Sequence, residues 1–256
     1  MGINSVINKQ PQIFVGNLIG ASIVLFIFII PLLAIFGNGI KITHQLKDKD
    51  LVFALFVVST PVFLIADNLV TRTEAILLIL VYVLLVYFME RSKGLIERIR
   101  DEFNHHKTHF LYDISLVILG FIVIFLSSRF IVTQTISYSA LLNIPPFVMS
   151  IIFLSLGTNL PELSIALRAV LLGKKDVALG DYIGSAAANT VIFGFLTLMN
   201  FSRIYLDIYS FKTMFFMLAG LSLFYFFSKS KNTISRKEGY VLLFFYILFI
   251  ISEIVN

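Results

Sequence analysis

Apolar runs dominate this chain and limit what it can fold into. Eight of them, at about 13–36, 51–66, 74–90, 113–136, 145–172, 178–200, 211–227 and 239–254, fill most of its 256 residues. A helix needs about 20 apolar residues to cross a hydrocarbon core of about 30 Å, with a lower limit near 17. The runs are continuous and do not alternate with period two, which argues for helices over barrel strands. Hydrophobic residues make up 58% of the sequence, charged residues 14%, and the mean hydropathy is +0.94. A soluble domain carries about 25% charged residues, so the solvent for most of this chain is lipid. The expectation is an all-α integral membrane protein of about eight transmembrane helices. Met1 to Gln12 is polar with a single Lys9, which does not read as a cleavable signal peptide.

Charge then orients the spans. Eight spans place fifteen of the 20 Lys and Arg residues on one face and five on the other. Positive charge marks the cytoplasmic side, so the 91–112 and 229–237 loops are expected inside. The loop at 68–73 and both termini are expected outside, in a multi-pass protein of the cell membrane. A net charge of +5, spread along the chain, does not suggest a nucleic-acid partner. The absence of cysteine excludes disulfides, thiolate metal sites and cysteine nucleophiles. In the 91–112 linker, Leu95, Ile96, Ile99 and Phe103 recur at helical spacing, as in a helix lying on the membrane surface. His105 and His109 are four apart beside His106. That spacing can hold a metal, but no carboxylate lies between them in a zincin-like pattern.

An internal repeat follows from two matches at one offset. Gly16-Asn17-Leu18-Ile19-Gly20 resembles Gly180-Asp181-Tyr182-Ile183-Gly184, 164 residues later. Asn68 to Ala75, with Arg72 and Glu74, resembles Asn232 to Gly239, with Arg236 and Glu238, at the same offset. The matched loops fall on opposite faces, which is the inverted-repeat arrangement of many secondary transporters. Subtracting 164 from 113 gives a position before Met1, so the chain reads as a ten-span, two-repeat protein without its first two spans. The expected units are an incomplete first repeat at 1–90, a cytoplasmic linker at 91–112 and a complete second repeat at 113–256.

The chemistry concentrates at Gly157-Thr158-Asn159-Leu160-Pro161-Glu162. Glu162 lies about ten residues, or roughly 15 Å, inside its span. A carboxylate at that depth costs about 2.5–3.5 kcal/mol on insertion scales and marks a functional site. Pro161 lacks an N–H and is expected to release the Gly157 carbonyl. Thr158 and Glu162 are i, i+4 and share a helix face, and Ser155 and Asn159 add oxygen. Carbonyls, hydroxyls and a carboxylate at an interrupted helix suit a hard cation. On the next span Ser185 and Asn189 are i, i+4, and Gly184 with Ala186 to Ala188 forms a small-residue face. Breaks are expected near Gly157–Pro161 and near Gly184. Asp181, shallower, reads as an interfacial carboxylate.

These residues resemble the repeats of the cation/calcium exchanger superfamily, which includes sodium/calcium exchangers. Its Gly-Thr-Ser-Leu-Pro-Glu motif corresponds to Gly157–Glu162, with Asn159 for Ser. Its Gly-Asn-x-x-Gly-Ser-Asn motif corresponds to Gly180–Ala186, with Asp181 and Ala186 substituted. The resemblance implies a secondary antiporter working by alternating access, not an enzyme. It implies Ca²⁺ and Na⁺ as transported ions, no cofactor, lipid and small cations as partners, and a possible homo-oligomer. It makes Glu162 the Ca²⁺ and Na⁺ ligand, lined by Thr158 and Asn159, with Ser155 and Ser185 near flanking sodium positions and Asn189 facing the centre. The first repeat departs from the pattern: the positions 164 before Ser185 and Asn189 hold Ala21 and Leu25. Two further expectations stand beside this one, a non-transporting membrane protein that binds a cation or partner structurally, and a proton-coupled cation exchanger.

Overall fold

The fold comes from a computed structural model that describes residues 1–43, 48–93, 110–173, 176–206, 210–229 and 232–255. The expected surface helix and the three histidines of the 91–112 linker therefore lie largely outside the described residues. Eight helical segments stand where the apolar runs predict them. They are α2 (Gln12–Phe36), α3 (Asp48–Leu64), α4 (Arg72–Lys93), α5 (Phe110–Leu142), the bent pair α6 (Pro146–Thr158) and α7 (Leu160–Leu171), α8 (Leu179–Met199), α9 (Ser210–Lys229) and α10 (Arg236–Ile254). A short α1 (Gly2–Ile7) precedes them. Five are long and apolar enough to cross a bilayer singly, and the bent pair makes a sixth span. The two remaining segments fall short for visible reasons. Helix α3 has 17 residues, of which Asp48, Lys49 and Asp50 are charged, and α10 carries Arg236, Lys237, Glu238 and Glu253.

Helix α2 is the mast of the molecule. Its most apolar window is 89% buried, against 6% for α5. A helix apolar all round and buried all round is a bundle core, whereas α5, apolar and exposed, is a lipid-facing helix. Around α2 pack α6, α8, α9 and α10, with α3 and α4 against α8. Aromatic pairs tie the mast to its neighbours: Phe14 to Phe193 with ring centroids at 5.7 Å, and Phe26 to Phe224 at 5.0 Å. Small residues let backbones meet. A Cβ on Gly16 or Gly20 of α2 would run into the backbone of α6 at Phe147 and Ile151.

Strands were not expected, yet short ones clasp the loops. β1 (Ile40–Thr43), β3 (Asp176–Ala178) and β5 (Thr233–Ile234) form a sheet in the order β3–β1–β5, while β2 (Leu69–Val70) pairs with β4 (Ile204–Tyr205). The antiparallel registers Ile40↔Ile234 and Val70↔Ile204 are one pairing seen twice, each position displaced by 164. Asn68 and Asn232 both take positive φ, 61° and 52°, a conformation Asn tolerates better than most residues. Each leads into a reciprocal helix cap. The Thr71 N–H donates to Glu74 at 2.6 Å and the Glu74 N–H to the Thr71 hydroxyl at 3.4 Å. Ser235 and Glu238 repeat this at 2.7 and 3.3 Å. The repeated Arg-x-Glu element of the sequence is thus the start of a capped helix, with its Glu at the third helical position.

Candidate cation site

The expected break near Pro161 is present. α6 and α7 meet at Asn159 with a bend of 45°. Pro161 sits at the start of α7, where its missing N–H costs nothing and its fixed φ suits a helix start. Just upstream, Ser150–Leu154 is a π-helical turn, a widening often found at functional sites. The broken span turns the C-terminal carbonyls of α6 and the N-terminus of α7 toward the same region. Glu162 lies in the first turn of α7, where the helix dipole favours a negative charge.

Around the break three of the expected residues come together. Ser155 is fully buried, and its hydroxyl donates back to Ile151 O at 2.5 Å. Asn159 is buried, and its amide donates to Ser155 O at 2.7 Å. The Thr158 hydroxyl reaches Ser155 O at 3.1 Å and Asn17 Oδ1 at 3.3 Å. The Gly157 carbonyl, expected to be released by Pro161, receives a backbone N–H at the cap, as do those of Ser155 and Leu156. Pro161 deprives an acceptor of one partner, and the tightened turn supplies another.

Glu162 is exposed. Asp181 is exposed, and Ser185 and Asn189 are half-buried on α8. Among the described residues no hydrogen bond links Ser185 or Asn189 to the Ser155–Thr158–Asn159 cluster. The second expected break is absent, because α8 runs unbroken through Gly184 from Leu179 to Met199. One glycine costs a helix about 1 kcal/mol, and the three alanines that follow are the best helix formers. A Cβ added at Gly157 or Gly184 would meet nothing within 4 Å, so both glycines border open space.

One site-facing residue was missed. Asn17 of α2, buried, meets Thr158 across the helix interface. The repeat carried the signal, since Asn17 stands 164 residues before Asp181 and matches the Asn of the Gly-Asn-x-x-Gly motif. Ala21 and Leu25 are buried apolar residues, as expected. A cavity of about 450 Å³ lies against this region, bordered by Asn17, Thr158, Ser127 and Ser128 among apolar neighbours. Among the described residues no group of three Asp, Glu or His side chains could hold a metal.

A multi-helix membrane protein with a span broken beside oxygen-bearing side chains has the architecture of a secondary cation transporter. The chain belongs to the sodium/calcium exchanger protein family, which it matches over residues 1–90 and 112–255. It is 30% identical over 142 residues to the sodium/calcium exchanger MaX1 of Methanosarcina acetivorans, covering 56% of this chain and 41% of that one. It thus spans less than half the length of that relative. Two solved structures share its fold. The H⁺/Ca²⁺ exchanger CAX superposes with a TM-score of 0.72 at 15% identity, over 99% of this chain and 74% of that one. The sodium/calcium exchanger from Methanococcus jannaschii gives 0.61 at 23% identity, over 97% and 78%.

Proposed function

We propose that this chain is part of a secondary active cation antiporter, with Ca²⁺ and Na⁺ as its transported ions. The observation that carries the proposal is the α6–α7 break, which sets Thr158 and Asn159 one turn before Glu162 in a chain of this family. Glu162 supplies the charge. Thr158, Asn159 and Ser155 supply oxygen from the broken span, and Ser185 and Asn189 supply it from α8. An unpaired carboxylate in hydrocarbon is costly, so the exposed side of Glu162 faces a polar opening and not lipid. The units 1–90 and 113–256 act as inverted halves joined by a cytoplasmic linker at 91–112. They move about the site so that it opens to one side of the cell membrane at a time, with both termini outside. No covalent step is needed, because the same carboxylate takes one ion or the other in turn.

Reconstitution in sealed vesicles tests this. A Na⁺ gradient should drive Ca²⁺ uptake, and Glu162→Gln should abolish it. Uptake that follows a proton gradient and ignores Na⁺ would replace the counter-ion. No flux under either gradient would favour a second reading, a membrane protein that holds a cation without moving it. The buried, apolar Ala21 and Leu25 speak for that alternative, since neither offers a side-chain oxygen. Single cysteines placed at the exposed Asn68 and Lys237 test the orientation. Labelling from outside is expected at the first and not at the second.

A further inference from the structure

The oxygens gathered at the break carry little charge. Glu162 contributes one carboxylate, and the side chains hydrogen-bonded around Thr158 are hydroxyls and amides. Asn17 differs from the others in origin, because it comes from α2, 141 residues before Thr158. The Thr158 hydroxyl has one proton and two acceptors within reach, Ser155 O at 3.1 Å and Asn17 Oδ1 at 3.3 Å. The Ser155 carbonyl already accepts the Asn159 amide at 2.7 Å. Asn17 is therefore the acceptor better able to take the proton, and taking it turns the hydroxyl lone pairs away from α2. Asn17 and Thr158 also share the wall of the 450 Å³ cavity. Position 181, the repeat-related equivalent of 17, carries Asp at an exposed site, whereas at the buried position 17 an acid of nearly the same shape would add a charge beside Thr158.

We propose that Asn17 is a specificity-determining residue of the cation site: it orients the Thr158 hydroxyl and, as an uncharged amide, leaves the site suited to a monovalent cation such as Na⁺ in preference to a divalent one. The inference rests on the assignment of Thr158 and Glu162 to the cation site. Its physical basis is that affinity for Ca²⁺ is set largely by the number of charged ligands. An added carboxylate beside Thr158, one turn from Glu162, raises the attraction for a divalent ion more than for a monovalent one.

The test uses the purified full chain in detergent, with Na⁺ and Ca²⁺ binding measured by calorimetry and by ligand-induced thermal stabilisation at fixed ionic strength. Asn17→Asp should move the affinity ratio toward Ca²⁺ by about tenfold or more. Asn17→Leu should weaken Na⁺ binding by about fivefold or more, through loss of the Thr158 acceptor. Asn17→Ala, which also lacks an acceptor, replaces it if the Leu variant does not fold. A purely structural role for Asn17 would lower the melting temperature in both variants without moving the ratio. The proposal is overturned if the ratio stays at the wild-type value in Asn17→Asp, or if that variant gains no Ca²⁺ binding where wild type has none. The double variant Asn17→Asp with Glu162→Gln separates the two assignments. If the Ca²⁺ gain survives without the Glu162 charge, Asn17 governs selectivity and Glu162 is not the central ligand. If the gain is lost, both assignments stand.

Discussion

Helices α2 and α8 carry the same small-residue pattern 164 residues apart, and the structure uses it in opposite ways. Gly20 of α2 is pressed against α6, where a Cβ would lie 2.8 Å from Ser155 Cβ and still closer to the Ile151 carbonyl. Gly184 of α8, its equivalent, has nothing within 4 Å. The α2 window is 89% buried and that of α8 44%. A small-residue face permits close approach but does not create it, and a neighbour must be there to use it. On the α2 side the neighbour is the broken span itself, so packing and the candidate cation site are the same contact. On the α8 side Ala186 and Ala187 are buried, and Gly184 borders open space.

Added bulk at the two glycines should have unequal consequences. Gly20→Val should destabilise the protein by about 3 kcal/mol or more, because backbone and not a flexible side chain must give way. Gly184→Val should cost about 1 kcal/mol or less, mostly through the lower helix propensity of a β-branched residue. Thermal unfolding in detergent measures both, and equal losses would show that Gly184 is packed in solution.

A second contrast lies outside the 164-residue pattern. Glu253 of α10 is buried and accepts the Thr213 hydroxyl of α9 at 2.6 Å. The positions 164 residues earlier hold Met89 and Lys49. Thr213→Val removes the donor to a buried carboxyl and should cost about 1–3 kcal/mol. Glu253→Gln keeps an acceptor and should cost less. The reverse order, again by thermal unfolding, would mean that charge and not the hydrogen bond holds the pair.

The smallest effect concerns the feature the two halves share most closely. Thr71→Ala and Ser235→Ala each remove one cap and should each cost about 1 kcal/mol. Near-equal losses are expected because the two caps have the same donors and acceptors. A difference beyond 1 kcal/mol would show that the surrounding loops, and not the caps, set the stability of these turns.

The helices were legible because lipid exposure demands long apolar runs, and all eight runs fall on helical segments. The break at Asn159 was legible from Pro161 together with Gly157 and the carboxylate of Glu162, because Pro61 alone leaves α3 unbroken. Gly184 misled because a glycine permits a break without forcing one, and Ala186 to Ala188 hold the helix together. The clasping strands are two to four residues long and cannot be told from span ends by periodicity. The repeat had already paired Asn68 with Asn232 and Glu74 with Glu238, but their role in positive-φ turns and caps showed only in three dimensions. Asn17 was within reach, since the offset that flagged Ala21 and Leu25 pairs it with Asp181. Its contact with Thr158 depends on how α2 crosses the broken span, which the offset does not specify.

In the proposed site the charge of Glu162, set at the α6–α7 break, binds the cation. Thermal stability of the purified chain, titrated with NaCl and CaCl₂ at constant ionic strength, tests it most directly. Stabilisation by a bound ligand grows with ligand concentration over its dissociation constant, so weak binding is still visible. Wild type should be stabilised by at least one of the two cations, and Glu162→Gln, which keeps the side-chain size and one oxygen, should lose that stabilisation while melting near the wild-type temperature without added ions. Equal stabilisation of the two proteins by the same cation would place its site away from Glu162.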